Sequence, residues 1–225
     1  MNSRLSLALA SFATLLIFSS TSWAQEEGSS YTFEQITDNL YRAATVSHRT
    51  VLLVTEEGVI LTDPINQDFS TWLKQEIDER FGVPVRYVLY SHHHWDHASG
   101  GSVFEDTATF IGHENMIGRL AAPSGDVALP DNAAVQDVDG NGQIERAEAD
   151  GAFARNFDLY DFDGNDALSG AEVTRGPVND VQVPDITYAD KTTVTLGGKS
   201  AEMVFTGVHT HTDDMSVIIF PEESV

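Results

Sequence analysis

The sequence predicts a layered α/β domain that is interrupted by a small acidic module. Short β-branched and apolar runs follow one another from residue 31 to residue 62, and a helical pattern and a buried-strand pattern come next. Acidic residues then concentrate between residues 126 and 180, and β-branched runs return from residue 181. A strand, helix, strand order with an internal buried strand is typical of packed layers of α and β structure.

The first half of the chain predicts an antiparallel meander, then a helix, then a buried strand. Strands are expected at 40–43, 50–55 and 59–62, since each run is rich in apolar residues and a Glu-Glu-Gly turn separates the last two. Apolar side chains at helical spacing predict a helix over 68–81, ended by Gly82 and Pro84. The apolar run 85–90 predicts the buried strand. After the acidic block, strands are expected at 192–196, 201–206 and 217–220.

The composition excludes several classes of partner. The chain has 12 basic and 35 acidic residues, a formal charge of −23, which argues against nucleic acid and anionic membranes as partners. It has no cysteine, so disulfides are excluded and any metal site must use histidine and carboxylate ligands. The block 126–180 contains 13 of the acidic residues against three arginines, which predicts a separate module there.

The N-terminus predicts an export signal. Arg4 precedes an apolar run over 5–18, and Ser22-Trp23-Ala24 offers a cleavage site of small residues. The alternative is an uncleaved N-terminal anchor. We therefore expect a periplasmic or secreted protein with a signal peptide at 1–24, a first domain segment at 25–125, the inserted module at 126–180 and a second domain segment at 181–225. We expect no membrane contact beyond the signal.

A histidine-rich loop follows the predicted strand 85–90. It reads Ser-His-His-His-Trp-Asp-His over 91–97, and loops at strand ends of α/β folds commonly hold ligands. His92 and His94 are two residues apart and can point the same way, whereas Asp96 and His97 can face a neighbouring point. Two adjacent metal positions fit this spacing. The alternatives are a histidine-rich surface tract or a purely structural metal clip.

These residues match the pattern H-x-H-x-D-H, and the chain resembles the metallo-β-lactamase superfamily. Three further segments keep the order of that family: 58–64, ending in Asp63-Pro64; Gly100-Gly101 and 111–114 after the motif; and 207–214, followed by a strand and Pro221. The resemblance implies an αββα sandwich with a zinc site at the sheet edge. By the same pattern His211 is the remaining ligand of the first zinc, and His209 is the less favoured alternative.

The resemblance implies that His92, His94 and His211 bind one zinc ion and that Asp96 and His97 bind a second zinc or, with one zinc only, act on the attacking water. A zinc-bound hydroxide would then hydrolyse an ester, lactam, thioester or phosphoester in a small-molecule substrate, with Asp96 as the catalytic residue. Asp63 is expected near the metals without binding them. His48 and His113 are expected to be ordinary packed or surface residues, and His93 is expected to point away from the metal.

The end of the sequence departs from the family pattern. A bridging carboxylate and a last histidine are expected after Pro221, and the sequence given ends at Val225. We therefore expect an incomplete sandwich that lacks its C-terminal half, as a fragment or with that half supplied by another chain. The alternative function is a calcium-binding interaction module on a catalytically inactive scaffold.

The acidic block contains two patterns of the EF-hand calcium loop. The oxygen ligands expected in the first loop are Asp137, Asp139, Asn141, Gln143, Glu145 and Glu148. Those expected in the second are Asp161, Asp163, Asn165, Ala167, Ser169 and Glu172. Asp166 stands in the second loop where glycine is expected, so we expect weaker binding there. The sequence thus predicts an all-α pair that binds up to two calcium ions, with one shared helix at about 146–159. The alternative is a solvated acidic linker.

Overall fold

The computed structural model describes residues 31–207 and 210–223, which contain a seven-stranded mixed sheet, a three-stranded antiparallel sheet and a two-stranded pair. The strands are β1 (Thr32–Gln35), β2 (Leu40–Ala44), β3 (Arg49–Thr55), β4 (Gly58–Thr62), β5 (Val85–Leu89), β6 (Thr109–His113), β7 (Gln143–Glu145), β8 (Ala167–Ser169), β9 (Ile186–Tyr188), β10 (Lys191–Leu196), β11 (Lys199–Phe205) and β12 (Ser216–Ile219). The helices are α1 (Gln67–Phe81), α2 (Trp95–Ala98), α3 (Asn115–Leu120), α4 (Asp131–Ala134), α5 (Gly151–Arg155), α6 (Phe157–Tyr160) and α7 (Gly170–Arg175), with 3₁₀ turns at Ser99–Phe104 and Pro221–Glu223. The predicted signal peptide lies outside the described residues.

The large sheet has the order β1-β2-β3-β4-β5-β6-β9. Its first four strands pair antiparallel, which confirms the predicted meander. The pairs β4–β5, β5–β6 and β6–β9 are parallel, so the carboxyl ends of these strands meet at one edge. The histidine-rich loop follows β5 at this edge.

Helix α1 covers one face of the large sheet and confirms the helix predicted over 68–81. Its N-terminus is capped by Asn66, whose side chain accepts a hydrogen bond from the Phe69 amide at 3.0 Å. Its C-terminus ends on Gly82, which takes a left-handed φ of 63°. Phe69, Leu73 and Ile77 are buried against the sheet.

The three-stranded sheet β10-β11-β12 packs against the other face of the large sheet. Leu53, Ile60 and Leu89 from the large sheet form one apolar cluster with Ala201 and Met203 from the small one. The large sheet thus lies between the apolar cluster beneath α1 and the apolar cluster beneath the small sheet. The layers run helix, sheet, sheet. No helix of the described residues is long and apolar enough to cross a membrane.

The acidic block differs from the predicted all-α pair. Its strands β7 and β8 pair antiparallel, with Ile144 opposite Leu168, and both side chains are fully buried. The single helix predicted over 146–159 is wrong, because two short helices, α5 and α6, replace it. Asp150 accepts a hydrogen bond from the Gly151 amide at 2.7 Å and begins α5, so a new helix starts inside the predicted one.

Candidate metal centre and cleft

Close backbone packing positions the histidine-rich loop. A Cβ on Gly100 would lie 2.3 Å from Ser70 Oγ and 2.5 Å from the carbonyl oxygen of Pro64, so only glycine lets the loop approach α1 so closely. Ile65 donates its amide to the carbonyl oxygen of His97 at 2.7 Å, and Ile65 is buried with a φ of 66°. Such a backbone is strained for a β-branched residue and persists where the surroundings enforce it. The loop is therefore held rigidly beside β4.

The imidazole rings of His92 and His94, from the loop, lie close to that of His211. His211 Nε2 lies 3.2 Å from His94 Nδ1, and one nitrogen each of His92, His94 and His211 lie within 4.8 Å of one another. Two nitrogens bound to one tetrahedral zinc ion at the usual distances would be about 3.3 Å apart. His92 Nε2 is buried and has no hydrogen-bond partner among the described residues. A buried nitrogen without a partner is costly, so this atom fits a metal ligand.

A buried carboxylate fixes two of the rings. Asp63 accepts hydrogen bonds from the Ser91 amide at 2.7 Å and the Ser91 hydroxyl at 2.6 Å, and its Oδ2 lies 3.0 Å from His97 Nδ1. Ser91 Oγ in turn lies 2.9 Å from His92 Nδ1. These contacts leave the Nε2 atoms of His92 and His97 to face the site, as is usual around metal-binding histidines.

The pKa values of two histidines in the cluster favour the neutral imidazole, which is the form that binds a metal ion. Burial, and next the neighbouring charge of His97, lower the pKa of His92 to about 4. Burial, and next the nearby His93 and His211, also lower the pKa of His94. Imidazoles bind metal ions in their neutral form, so these two residues need not lose a proton at neutral pH.

A second group adjoins the first. Asp96, His97 and His48 each place a ligand atom within 4.8 Å of the others, and His48 Nε2 lies 3.0 Å from Asp96 Oδ2. Burial by itself would raise the pKa of Asp96. The hydrogen bond from His48 and the charge of His97 together have the larger effect, so the pKa lies below its usual value. The hydrogen bond to Asp63 raises the pKa of His97.

The position of His48 differs from the sequence-based expectation of an ordinary packed or surface residue. His48 lies in the turn after β2, outside the histidine-rich loop and outside any motif. No local pattern therefore links it to Asp96, and only its contacts in the fold bring it to the site.

Two other histidines point elsewhere. His93 turns away to Asp214, with its Nδ1 2.9 Å from one carboxylate oxygen and its amide donating to the other at 2.8 Å. His113 Nε2 lies 2.7 Å from the Ala189 carbonyl oxygen, and its ring stacks on Phe205. His209 lies outside the described residues.

An open cleft of about 450 Å³ lies over His94, Asp96 and His211. Arg119 forms two hydrogen bonds with Asp213 on one side, at 3.0 and 2.7 Å. The opposite wall comes from residues 174–178, which follow the second acidic loop. The acidic block therefore contributes residues to the wall of the cleft that contains the candidate metal ligands.

The first acidic loop folds around its own carboxylates. Asp137 accepts hydrogen bonds from the amides of Gly140, Asn141 and Gly142 at 2.8 to 3.1 Å. Glu148 reaches back across the loop and accepts from the Val138 amide at 3.0 Å. Carboxylate oxygens of Asp137, Asp139 and Glu148 lie within 4.8 Å of one another. One oxygen of Glu145 is buried without a hydrogen-bond partner among the described residues.

The second acidic loop repeats this arrangement. Asp161 accepts from the amides of Gly164, Asn165 and Asp166 at 2.9 to 3.2 Å, and Glu172 accepts from the Phe162 amide at 2.8 Å. Asp161, Asp163 and Glu172 converge as in the first loop. Asp166 has a φ of 61°, the left-handed conformation that Gly142 adopts in the first loop at 89°. The backbone strain expected at Asp166 is therefore present.

The remaining predicted loop residues also lie in these two loops. Asn141 and Asn165 accept hydrogen bonds from the amides of Gln143 and Ala167 at 2.9 and 2.7 Å. Ser169 caps α7 and forms a reciprocal pair of hydrogen bonds with Glu172.

Comparison with protein-family models and with curated protein sequences finds no match. Among solved structures, a metallo-β-lactamase from Pontibacter korlensis is 18% identical with a TM-score of 0.52, over 85% of this chain and 67% of that one. The FEZ-1 metallo-β-lactamase from Legionella gormanii is also 18% identical with a TM-score of 0.52, over 84% of this chain and 57% of that one. BJP-1, a subclass B3 metallo-β-lactamase of Bradyrhizobium japonicum, is 17% identical with a TM-score of 0.50, over 83% and 55%. The chain thus spans a little over half the length of the last two enzymes, and its described residues have the metallo-β-lactamase fold.

Proposed function

We propose that this chain is part of an exported zinc-dependent hydrolase that acts on a small molecule. The observation that carries the proposal is the convergence of His92, His94 and His211, in which the buried Nε2 of His92 has no hydrogen-bond partner among the residues that the structure describes. Three neutral imidazoles and an open fourth position form the donor set of a catalytic zinc site. Export to the periplasm or beyond rests on the predicted signal at 1–24.

The residues around the cluster would serve the hydrolysis in separate ways. Zinc bound by the three imidazoles would supply a nucleophile at neutral pH by lowering the pKa of water to about 7. Asp96, with its lowered pKa, stays ionised, so its carboxylate would orient the attacking water by accepting a hydrogen bond or would bind a second zinc ion together with His97. Asp63 and Ser91 keep the rings in place.

The bond that is cleaved would belong to an ester, lactam, thioester or phosphoester. The three solved structures named above carry the name metallo-β-lactamase, so a lactam is the first substrate class to test. The cleft contains Arg119 and Arg175 beside the metal centre, and a guanidinium group binds carboxylates and phosphates well. Both groups already have partners, however: Arg119 is paired with Asp213, and Arg175 donates to the carbonyl oxygens of Leu120 and Ala121, so they give no preference for an anionic substrate.

We also propose that the acidic module is an EF-hand pair that binds up to two calcium ions. Each loop gathers three carboxylates within 4.8 Å, and a bound cation would offset the repulsion between like charges so close together. The buried pair Ile144 and Leu168 joins the two loops, as the apolar eighth position of each loop requires. Calcium would act as a permanent structural clamp, because extracytoplasmic calcium exceeds what sensor loops need.

The second candidate function is a calcium-binding interaction module on an inactive scaffold. Strand β12 favours it, since it lies at the edge of the small sheet and Val217 is 48% exposed. An exposed edge strand can pair with another chain, which could be the source of further strands.

Elemental analysis by plasma mass spectrometry separates the two candidates. We expect zinc and calcium in the wild-type protein, loss of zinc alone in His94→Ala, and a reduced calcium content alone in Glu148→Gln. A panel of chromogenic lactams and esters, with zinc and after its removal, then tests hydrolysis. Calcium without zinc in the wild type would reject the hydrolase and favour the interaction module.

A further inference from the structure

We propose that His48 is a ligand of the second metal position, together with Asp96 and His97. The inference rests on the proposed zinc hydrolase and adds a ligand from a different part of the chain. His48 lies in the turn between β2 and β3, whereas Asp96 and His97 lie in α2. Only the tertiary structure brings the three together.

The turn holds His48 in a defined place. The Thr45 hydroxyl accepts hydrogen bonds from the amides of Ser47 and His48 at 3.2 and 2.9 Å, and the Thr45 amide donates to the His48 carbonyl oxygen at 2.9 Å. The ring of His48 stands perpendicular to that of His97, with 5.3 Å between their centroids. Its Nε2 lies beside the carboxylate of Asp96, the second residue of α2.

The hydrogen bonds of His48 follow the pattern of His92 and His97. Its Nδ1 lies 3.0 Å from Ser47 Oγ, just as the Nδ1 atoms of His92 and His97 lie close to Ser91 and Asp63. In each case the polar partner occupies Nδ1 and leaves Nε2 for the interior of the site. Metal-binding histidines show this arrangement, because the outer hydrogen bond fixes the ring and raises the basicity of the other nitrogen.

The donor count favours a ligand over a simple hydrogen bond. Among the described residues, His48 offers a ligand atom within 4.8 Å of those of Asp96 and His97, and zinc sites that act on substrates use three protein ligands and keep one position open. With His48 the set becomes two imidazoles and one carboxylate. The distance of 3.0 Å between His48 Nε2 and Asp96 Oδ2 is close to that of two ligands on one zinc ion.

Substitutions at position 48 distinguish a ligand from a hydrogen-bond donor. His48→Asp keeps a group that binds zinc but cannot donate to Asp96, whereas His48→Gln keeps a donor and is a poor zinc ligand. Val46→Ala is the matched control, because Val46 lies in the same turn and is 83% exposed. The full chain is loaded with zinc or cobalt(II), and the bound metal is measured by mass spectrometry and by the cobalt absorption spectrum.

We expect two zinc or cobalt(II) ions per chain, apart from any calcium, in the wild type and in Val46→Ala. We expect two in His48→Asp, and one in His48→Gln, where the three-histidine site stays filled. Two metals in His48→Gln and one in His48→Asp would reduce His48 to a residue that orients Asp96 and would overturn the proposal. One metal in the wild type, lost in His94→Ala, would overturn this inference and leave the hydrolase intact. No bound metal in the wild type would overturn both.

Discussion

At the scale of single residues, His92 has the environment that the proposed zinc site would require. It is almost fully buried, its Nδ1 lies beside Ser91 Oγ, and its Nε2 has no partner among the described residues. Burial disfavours the charged imidazolium, which explains the low pKa. The same environment makes the metal-free protein sensitive to acid.

We predict that the metal-free protein loses stability as the pH falls from about 6.5 to about 4. An unfolded histidine has a pKa of about 6.5, whereas that of folded His92 is about 4, so between these values the unfolded chain binds the extra proton. The free energy of unfolding should fall by on the order of 2 kcal/mol across this window. Denaturant titrations at several pH values measure it.

His92→Gln is the control for this prediction, because the difference between the two proteins removes the contribution of all other groups. The difference between the free energies of unfolding of the wild type and His92→Gln should change between about pH 6.5 and about pH 4. A constant difference from pH 7 to pH 4 would contradict the assigned origin of the effect.

At the scale of elements, close backbone packing joins the entry segment of the acidic module to its last helix, α7. Gly170 begins α7, and a Cβ there would lie 2.1 Å from the Val127 carbonyl oxygen and 2.5 Å from the Ala128 carbonyl carbon. These are main-chain atoms, which cannot move aside as a flexible side chain would. The entry segment of the module therefore packs directly on its last helix.

We predict that Gly170→Ala destabilises the module by about 1 to 3 kcal/mol, as is usual for overpacking. The matched control is Gly118→Ala in α3, where nothing lies within 4 Å of the added Cβ. That substitution should be neutral or stabilising by up to about 1 kcal/mol, since alanine favours helix. Thermal or urea unfolding of both variants measures the effect, and equal stabilities would refute the packing argument.

At the scale of the whole molecule, the second acidic loop is coupled to the cleft through α7. Glu172 is buried in the loop, and Arg175, one turn later, donates to the carbonyl oxygens of Leu120 and Ala121 at 3.1 and 2.9 Å. These carbonyl groups end α3, so Arg175 joins the module to the sandwich. Residues 174–178 then form the cleft wall. Calcium in the second loop would thus hold the wall in place.

We predict that Glu172→Gln increases hydrogen exchange over residues 170–178 by about tenfold or more, because the loop no longer fixes α7. The matched variant Glu148→Gln removes the corresponding carboxylate of the first loop, which does not border the cleft, and its effect should stay within residues 137–148. Exchange is measured by mass spectrometry in calcium. Equal exchange over 170–178 in both variants would mean that the second loop does not control the wall.

Local patterns in the sequence were sufficient to identify most elements and the residues that bear chemistry. Alternation and helical spacing identified the meander, α1 and the strands of the small sheet, since these patterns reflect which face of an element is buried. His92, His94 and the loop carboxylates were readable as candidate ligands because fixed spacings place donors on one side of a turn, whereas His211 was inferred from the family resemblance. The short strands β1 and β9 were missed, as three or four residues carry too little pattern.

Contacts between distant segments, which exist only in the folded chain, established the remaining features. They bring His48 to Asp96, turn His93 towards Asp214, and place the acidic module against the cleft. The predicted helix over 146–159 is broken because Asp150 caps a new helix where helical spacing alone would continue the old one. The ionisation of His92 likewise follows from its burial in the tertiary structure, which no local pattern contains.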